Sequence, residues 1–541
     1  MSSLLTNPKA KSLALSMSGM VLVAAIAAPA AAAITITNDD THNPTLMYRG
    51  APMFKVGPIP EQAMFALEFG GADSFDHASW LDWMEDNRLA YGRVYPDSGY
   101  ARLSSQRGHT VISPRAAGRL YPYEVVRWEG DKPIVDLTRF NPEYWDNMSR
   151  VIGAAKQRGV VLQMQLYQRV YFEEREDGWA INYFNPANNV NDYPVPASSG
   201  NGGLLSAVKD TVKDWFGDAE PVNDGYGLLA AMPEDTPWRD VHRQWVEHIL
   251  NAIGDHGNVI IDLMNEGSFS KGTTAEWIET TLDIIEQWEH KTGNDIMVGM
   301  DFDHLYKWFE RTGDREPLDY VLSNPRLDVI IAEGSESHVV PTLVAGDREP
   351  MHKDLALEFR TRYQKPVIST NSPAYGPHDS PEALHLYQWY SLLTKVQGVG
   401  VYAKEYPLDF STPPVSSYAR RSKILMRFFD QIDDYAALAP LPKEQLTAPG
   451  EFALALASPA EAVVYLHAGI GNEPIDQGAQ LKLTDLQIPD GAVTIEALNP
   501  RSGQTTSWRG NIEDGTLTTR LRGAERDIAV RISPKRVADE S

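Results

Sequence analysis

The chain contains no cysteine among its 541 residues. That absence removes disulfides, thiolate nucleophiles, thiolate metal sites and a lipid-modified N-terminal cysteine together. It also lacks any excess of basic charge: 49 Lys and Arg stand against 73 Asp and Glu, a formal net charge of −24. Such a balance repels phosphate backbones and anionic lipid, so neither nucleic acid nor a membrane surface is the expected partner. Several motifs are missing as well. No GxSxG elbow, GxxxxGK[ST] phosphate loop, HExxH helix or strand-following GxGxxG occurs, which leaves serine hydrolases of the elbow type, P-loop enzymes, zincins and dinucleotide enzymes without support. The 13 His are scattered, and DFDH at 301–304 could ligate a metal in principle. Strand-end aspartates more often bond substrate or neighbouring strands, so no metal and no obligatory cofactor is expected.

Long apolar runs are confined to the N-terminus, where Lys9 and Lys11 precede an alanine-rich stretch from Leu13 to Ala33. This is the layout of a secretory signal peptide, so residues 1–33 are set apart from the fold, an uncleaved anchor being the alternative. With export and no cysteine, a secreted or periplasmic protein is expected, with no stable membrane insertion after signal removal. The rest has the composition of an ordinary globular protein, 43% hydrophobic and 23% charged, and exceeds what one core usually covers, which predicts two folded domains.

From about residue 237, short apolar runs alternate with amphipathic stretches of helical period. The runs VIIDLMNEG, DIMVGMDFD, LDVIIAEG, KPVISTNS and VGVYAKEY begin at 259, 295, 327, 365 and 399. That spacing matches the roughly 31 residues per unit of an eight-unit βα barrel of about 250 residues. Upstream, AMFALEFGG from Ala63, LAYGRVYP from Leu89 and VVLQMQLY from Val160 complete eight strands. The expected fold is thus α/β, a (β/α)₈ TIM barrel over residues 34–436, with long loops after the second and third strands. Those loops carry Tyr121, Tyr123, Trp128, Trp179, Tyr183, Phe184, Asn188 and Asn189. Aromatics beside Asn suit sugar rings, whose faces stack and whose hydroxyls need donors and acceptors; they serve equally to pin long loops. Residues 437–449 read as a Pro-rich linker. FALALAS, AVVYLHAG, AQLKLTDL, VTIEALN and DIAVRIS then alternate with period two, which predicts a small antiparallel β-sandwich over 450–536, more a brace for the barrel than a glycan binder.

In a barrel the active face lies at the C-terminal ends of the strands. Glu266, ending the fourth strand beside Asn265 and before Gly267, is the first candidate for a general acid. At this point the chain resembles glycoside hydrolase clan A, in particular its family-5-like group. The resemblance rests on VIIDLMNEG, on YGRVYP with Arg93, on DLTRFNPEYWDNMSRVIGAAKQRGVVLQMQL, on KPVISTN, and on ALNPRSG in the sandwich. It implies a glycosidase with Glu266 as acid/base, Asn265 as a contact to the sugar 2-hydroxyl and Arg93 as a support for the nucleophile. The clan's nucleophilic Glu at the end of the seventh strand is here Asn371, flanked by Thr370 and Ser372. An amide cannot form the glycosyl ester, so a second carboxylate must be sought among Glu333, Glu405 and the strand-five aspartates. Glu333 is favoured, because it shares the strand-end, pre-Gly setting of Glu266. Tyr95, Gln168, Trp179, Asn189, Asp301, His338, Asn371, Lys404 and Glu405 are the expected substrate contacts. The partner is a poly- or oligosaccharide, and the cations on this face leave an anionic sugar open. A catalytically silent carbohydrate-binding barrel and a polysaccharide lyase stay as alternatives, since the fold hosts many chemistries.

Overall fold

In the computed structural model the apolar runs pair in parallel. The structure describes residues 34–37, 44–59, 77–96, 120–130, 132–172, 178–196, 225–269, 272–332, 355–370, 381–402, 413–450, 452–469, 473–476 and 478–534. Eight strands, Lys55–Ile59, Tyr91–Val94, Val161–Gln165, Val259–Asp262, Met297–Asp301, Val329–Ala332, Val367–Thr370 and Val396–Tyr402, make one parallel sheet. From the second to the eighth each bonds to the next, and the eighth bonds back to the first. Ala90 N–H donates to Val56 C=O at 2.9 Å across the remaining seam, and the sheet closes as a TIM barrel.

The first strand is a correction. The expected strand from Ala63 lies outside the described residues, and the first place in the sheet belongs to Lys55–Ile59. KVGPI does not read as a strand because Gly57 and Pro58 weaken that pattern. The glycine is required by packing: a Cβ at Gly57 would lie 1.6 Å from the Tyr91 carbonyl oxygen. Only a residue without Cβ lets the first and second strands come together.

A helix follows each strand, and local sequence sets its limits. Pro237–Ile253, after the third strand, starts on Pro at its first position and buries Trp238, Val241, Trp245, Ile249 and Ile253 along one face. That spacing of three and four residues is the stripe a helix needs against a sheet. Ala275–Thr292, after the fourth, is capped by the Thr274 side chain accepting from Trp277 N–H and ends at Gly293 in the left-handed region, the usual pair of start and stop signals. The bottom of the barrel is closed by three short strands, Thr35–Thr37, Thr45–Tyr48 and Ala51–Pro52. Ile34, Leu46, Tyr48 and Met53 pack there against Tyr91, Val161, Ile260, Met297, Val329 and Ile368.

The second loop contains a hairpin, Tyr123–Glu129 with Lys132–Phe140, and the third carries short helical turns at Arg169–Phe172, Gly178–Ile181 and Pro186–Asn188. Their aromatics turn inward. Tyr121, Tyr123, Trp179, Tyr183 and Phe184 are all buried, and the Tyr123 ring stacks on Trp245 with centroids 5.8 Å apart. Burial of this kind fastens the loops onto the helices.

Nine antiparallel strands follow the barrel in a separate sheet. The 437–449 segment, expected as a linker, supplies its two edge strands, Ala439–Pro440 and Leu446–Thr447. Two strands escape the sequence reading, Thr505–Glu513 and Thr516–Arg520, whose residues are mostly polar and solvent-facing. In the strand Ala462–His467, Ala462, Val464 and Leu466 join Leu481, Trp508 and Leu517 from the opposite end of the sheet in one core, so the sheet folds over as a sandwich. The intervening Val463 and Tyr465 join the barrel core. Among the described residues no helix is long and apolar enough to cross a membrane; the expected signal segment lies outside them.

Candidate active site

The barrel interior changes character along its axis. Its lower layers are apolar, while Arg93, Gln163, Gln165, Asp262 and Asp301 form a buried polar layer above them. The tyrosine and glutamine donors in that layer are directed. Tyr91 O–H donates to Gln163 Oε1 at 2.5 Å. Gln163 Nε2 and Gln165 Nε2 both donate to Asp262 Oδ2, at 2.9 and 3.0 Å. Asp262 Oδ1 accepts from the Asp301 amide at 3.3 Å. Burial pushes the Asp262 carboxyl up, opposed by the Gln165 and Gln163 amides and by Arg93.

Asn265 is fixed from this layer. Its Oδ1 accepts from Gln165 Nε2 at 2.8 Å and from Arg93 Nη1 at 3.1 Å. Because a guanidinium can only donate, this atom must be the amide oxygen, which leaves the NH₂ end for whatever lies above. Gln168 Nε2 donates to Gln165 Oε1 and its backbone bridges to Asn265. Arg93, Gln168 and Asn265 thus converge. Tyr95 follows the second strand and is half-buried against the barrel core.

Glu266 stands at the end of the fourth strand with φ of 53°. A non-glycine residue in the left-handed region is strained, and such strain gathers at functional sites. Its backbone N–H donates to Asp301 Oδ2 at 3.1 Å, and Asp301 Oδ1 accepts from the Asp303 amide at 2.9 Å. Gly267 follows, where a Cβ would lie 2.5 Å from Met300 Cε and would have to push that side chain aside. The Glu266 carboxylate receives Arg169 Nη2 on Oε2, and His304 Nε2 lies 3.5 Å from the same oxygen. Burial alone would raise this carboxyl; the His304 ring and the Arg169 guanidinium outweigh it and hold Glu266 well below the usual carboxylate range.

Arg169, one of the cations expected on the active face, and His304 were not expected as partners of Glu266. Arg169 carried a signal, because it follows the third strand, but the pairing joins loops 97 residues apart in sequence. Trp179 and Asn189 behave differently from expectation. Trp179 is 4% exposed and packs on Phe172, while Asn189 Nδ2 donates to the carbonyls of Tyr183 and Asn185 and its Oδ1 accepts from Asn191 N–H. Both are used up in holding the third loop together, which runs against a sugar contact for either. Glu333, His338, Asn371, Lys404 and Glu405 lie outside the described residues. Among the described residues no group of three or more His, Asp or Glu could hold a metal ion.

No protein-family model matches the chain, and no curated protein matches it. Solved structures do. One described as a glycoside hydrolase is 12% identical, covers 93% of this chain and 97% of its own, and superposes with a TM-score of 0.52. A glycoside hydrolase family 5 protein from Bacteroides vulgatus ATCC 8482 is 11% identical over 92% of this chain and 93% of its own, with a TM-score of 0.54. At these identities the likeness is one of fold, and it extends over barrel and sandwich together.

Proposed function

We propose that the protein is an exported glycosidase that cleaves a poly- or oligosaccharide with Glu266 as its general acid/base. The observation that carries this reading is the setting of Glu266: a strained, partly accessible carboxylate at the end of the fourth strand, beside an Asn whose amide oxygen is pinned by Arg93 and Gln165. The shared fold with solved glycoside hydrolases supports it. In the reaction the proton of Glu266 passes to the glycosidic oxygen, the bond from that oxygen to the anomeric carbon breaks, and water supplies the hydroxyl that replaces it. A second carboxylate must deprotonate that water or form a transient ester with the anomeric carbon. Glu333 remains the preferred group, since it directly follows the sixth strand, two places round the barrel from that of Glu266. Its separation from Glu266 would decide the stereochemistry, about 5 Å for retention and roughly 6.5 to 9.5 Å for inversion.

One observation favours a second reading. A carboxylate held ionised by Arg169 and His304 is a poor proton donor, and an amide stands at position 371, as in a barrel that binds glycan without cleaving it. A screen of the purified protein against neutral and acidic polysaccharides separates the two. Glu266→Gln should lower kcat by at least about 10²-fold with substrate binding retained, and Glu333→Gln should do the same. Binding without release of reducing ends on every substrate would replace the glycosidase with a carbohydrate-binding protein.

A further inference from the structure

An acid that must deliver a proton is here clamped by a cation, and the clamp itself has the chemistry of a binding site. Arg169 Nη2 reaches Glu266 Oε2, His304 Nε2 lies 3.5 Å from that oxygen, and the two nitrogens are 3.4 Å apart. All three side chains remain partly open, 11%, 19% and 21% exposed for Arg169, Glu266 and His304. His304 also sits in the first turn of the helix Asp303–Thr312, where the helix dipole favours negative charge. We propose that Arg169 and His304 form the seat for an anionic substituent, a carboxylate or a sulfate, on the sugar this site takes, and that the bound anion draws the guanidinium away from Glu266.

The argument is one of exchange. A neutral sugar offers hydroxyl dipoles, which compete weakly with a carboxylate for a guanidinium, whereas a second anion offers the same forked, charge-assisted bonds that Glu266 now accepts. Long-range attraction does not collect the ligand, because the chain carries a net charge of −24. Contact must do it, within the roughly 8 Å over which charge acts in physiological salt. The described charged or titratable groups that face Glu266 are Arg169 from the end of strand three and His304 from the helix after strand five; Asp301 binds its amide, and Arg93 is held on Asn265. Once His304 and Arg169 both turn to the ligand, burial is left as the main influence on the Glu266 carboxyl and raises it, so that it takes a proton from solvent and stands ready to donate it. The acidic substrate thereby arms its own acid. The catalytic consequence rests on the glycosidase reading of Glu266; the binding does not.

The test is calorimetric titration of the purified protein with matched neutral, uronate and sulfated oligosaccharides of gluco, galacto and manno configuration, with reducing ends and ultraviolet absorbance of unsaturated products followed in parallel. One acidic series should bind about tenfold to a hundredfold more tightly than its neutral counterpart. The carboxylate and sulfate arms identify which anion is taken. Arg169→Gln should erase the preference, Arg169→Lys should keep part of it, and thermal melts of both establish that they fold. In Arg169→Gln the Glu266 limb of the kcat/KM profile should also move to higher pH. Equal binding of neutral and acidic sugars, or a preference unchanged in Arg169→Gln, overturns the seat. Acid preference lost in Arg169→Gln but with no turnover keeps the seat and removes the glycosidase. Turnover that needs Glu266 on a neutral glycan, with no acid preference, does the reverse. Unsaturated products would support the seat and replace hydrolysis with elimination.

Discussion

The backbone at Glu266 is as informative as its carboxylate. A residue with a Cβ at φ of 53° costs roughly 1 kcal/mol relative to glycine in the same place. Comparing Glu266→Gly with Glu266→Ala isolates that term, because both variants lose the carboxylate and leave Arg169 and His304 in the same state. Glu266→Gly should be the more stable of the two by roughly 1 kcal/mol in a denaturant titration, and equal midpoints would show that the turn relaxes once the carboxylate is gone. The place of Glu266 was legible in the sequence because strand ends in a regular βα series can be counted, whereas Asn265 and Arg93 entered through the family resemblance. Arg169 and His304 were not legible as partners, because no periodicity states which of several cations above a barrel will reach one carboxylate. The burial of Trp179 and Asn189 was hidden for a related reason: an aromatic and an amide in a long loop have the same spelling whether they greet a ligand or fasten the loop.

Seven of the eight barrel strands announce themselves as apolar runs between helical stripes, and the eighth, Lys55–Ile59, does not, because closing the barrel at Gly57 demands the residue that weakens a strand pattern. The helices carry their own hidden chemistry. In Pro237–Ile253, His242 is completely buried between strand three and the next helix. Thr281 Oγ1 spends its hydrogen on the Trp277 carbonyl at 2.7 Å, so His242 Nε2 must donate to it at 3.0 Å and Nδ1 must accept from Tyr167 O–H at 2.7 Å. The ring is therefore neutral, and burial lowers its pKa from 6.5 to about 3. The sign follows from proton counting. Between those values the unfolded chain binds a proton that the folded chain refuses, so stability falls as pH falls from about 6.5 towards 3, by at most about 1.4 kcal/mol per pH unit from this residue. His248 and His256, also lowered by burial, act in the same direction. His242→Asn should flatten the loss between about pH 6.5 and 5.5, above the range in which most carboxylates take up protons, in urea titrations across pH. A limb unchanged in that variant would show that Tyr167 and Thr281 relax to accept the charged ring.

At the scale of the whole molecule, the sandwich and the barrel meet through a buried charged seam that neither domain's own pattern contains. Arg501 lies in the ALNPRSG segment, Asp527 begins the last strand, and Glu382 and His385 sit at the start of Pro381–Leu393, the helix after strand seven. Arg501 Nη1 donates to Glu382 Oε2 at 2.7 Å and its Nε donates to Asp527 Oδ1 at 2.9 Å. Asp527 Oδ2 is 2.5 Å from His385 Nε2, and Glu382 Oε1 is 3.1 Å from His467 Nε2. Burial would raise Glu382, but His467 and Arg501 hold it far below the usual carboxylate range; Asp527 is likewise held low, chiefly by His385 against its burial. Around this seam Trp389 and Tyr465 stack at 4.9 Å with their planes 6° apart, so the polar contacts are shielded and the two domains share one core. Removing Arg501 would take away the guanidinium that Glu382 and Asp527 share and leave them with His467, Arg421 and His385, a loss towards the lower end of the about 3–5 kcal/mol of a buried pair broken on one side. The surface pair Arg88–Asp430, with both side chains about half exposed, is the proper comparison, since an exposed pair contributes about 1 kcal/mol or less. Arg501→Ala should therefore lower the denaturation midpoint far more than Arg88→Ala, and should do so in a single transition, because the barrel helix that carries Glu382 cannot keep its place once the sandwich lets go. Two separate transitions in Arg501→Ala, with the barrel's midpoint unchanged, would show that the apolar stacking alone couples nothing and that the sandwich is a passenger.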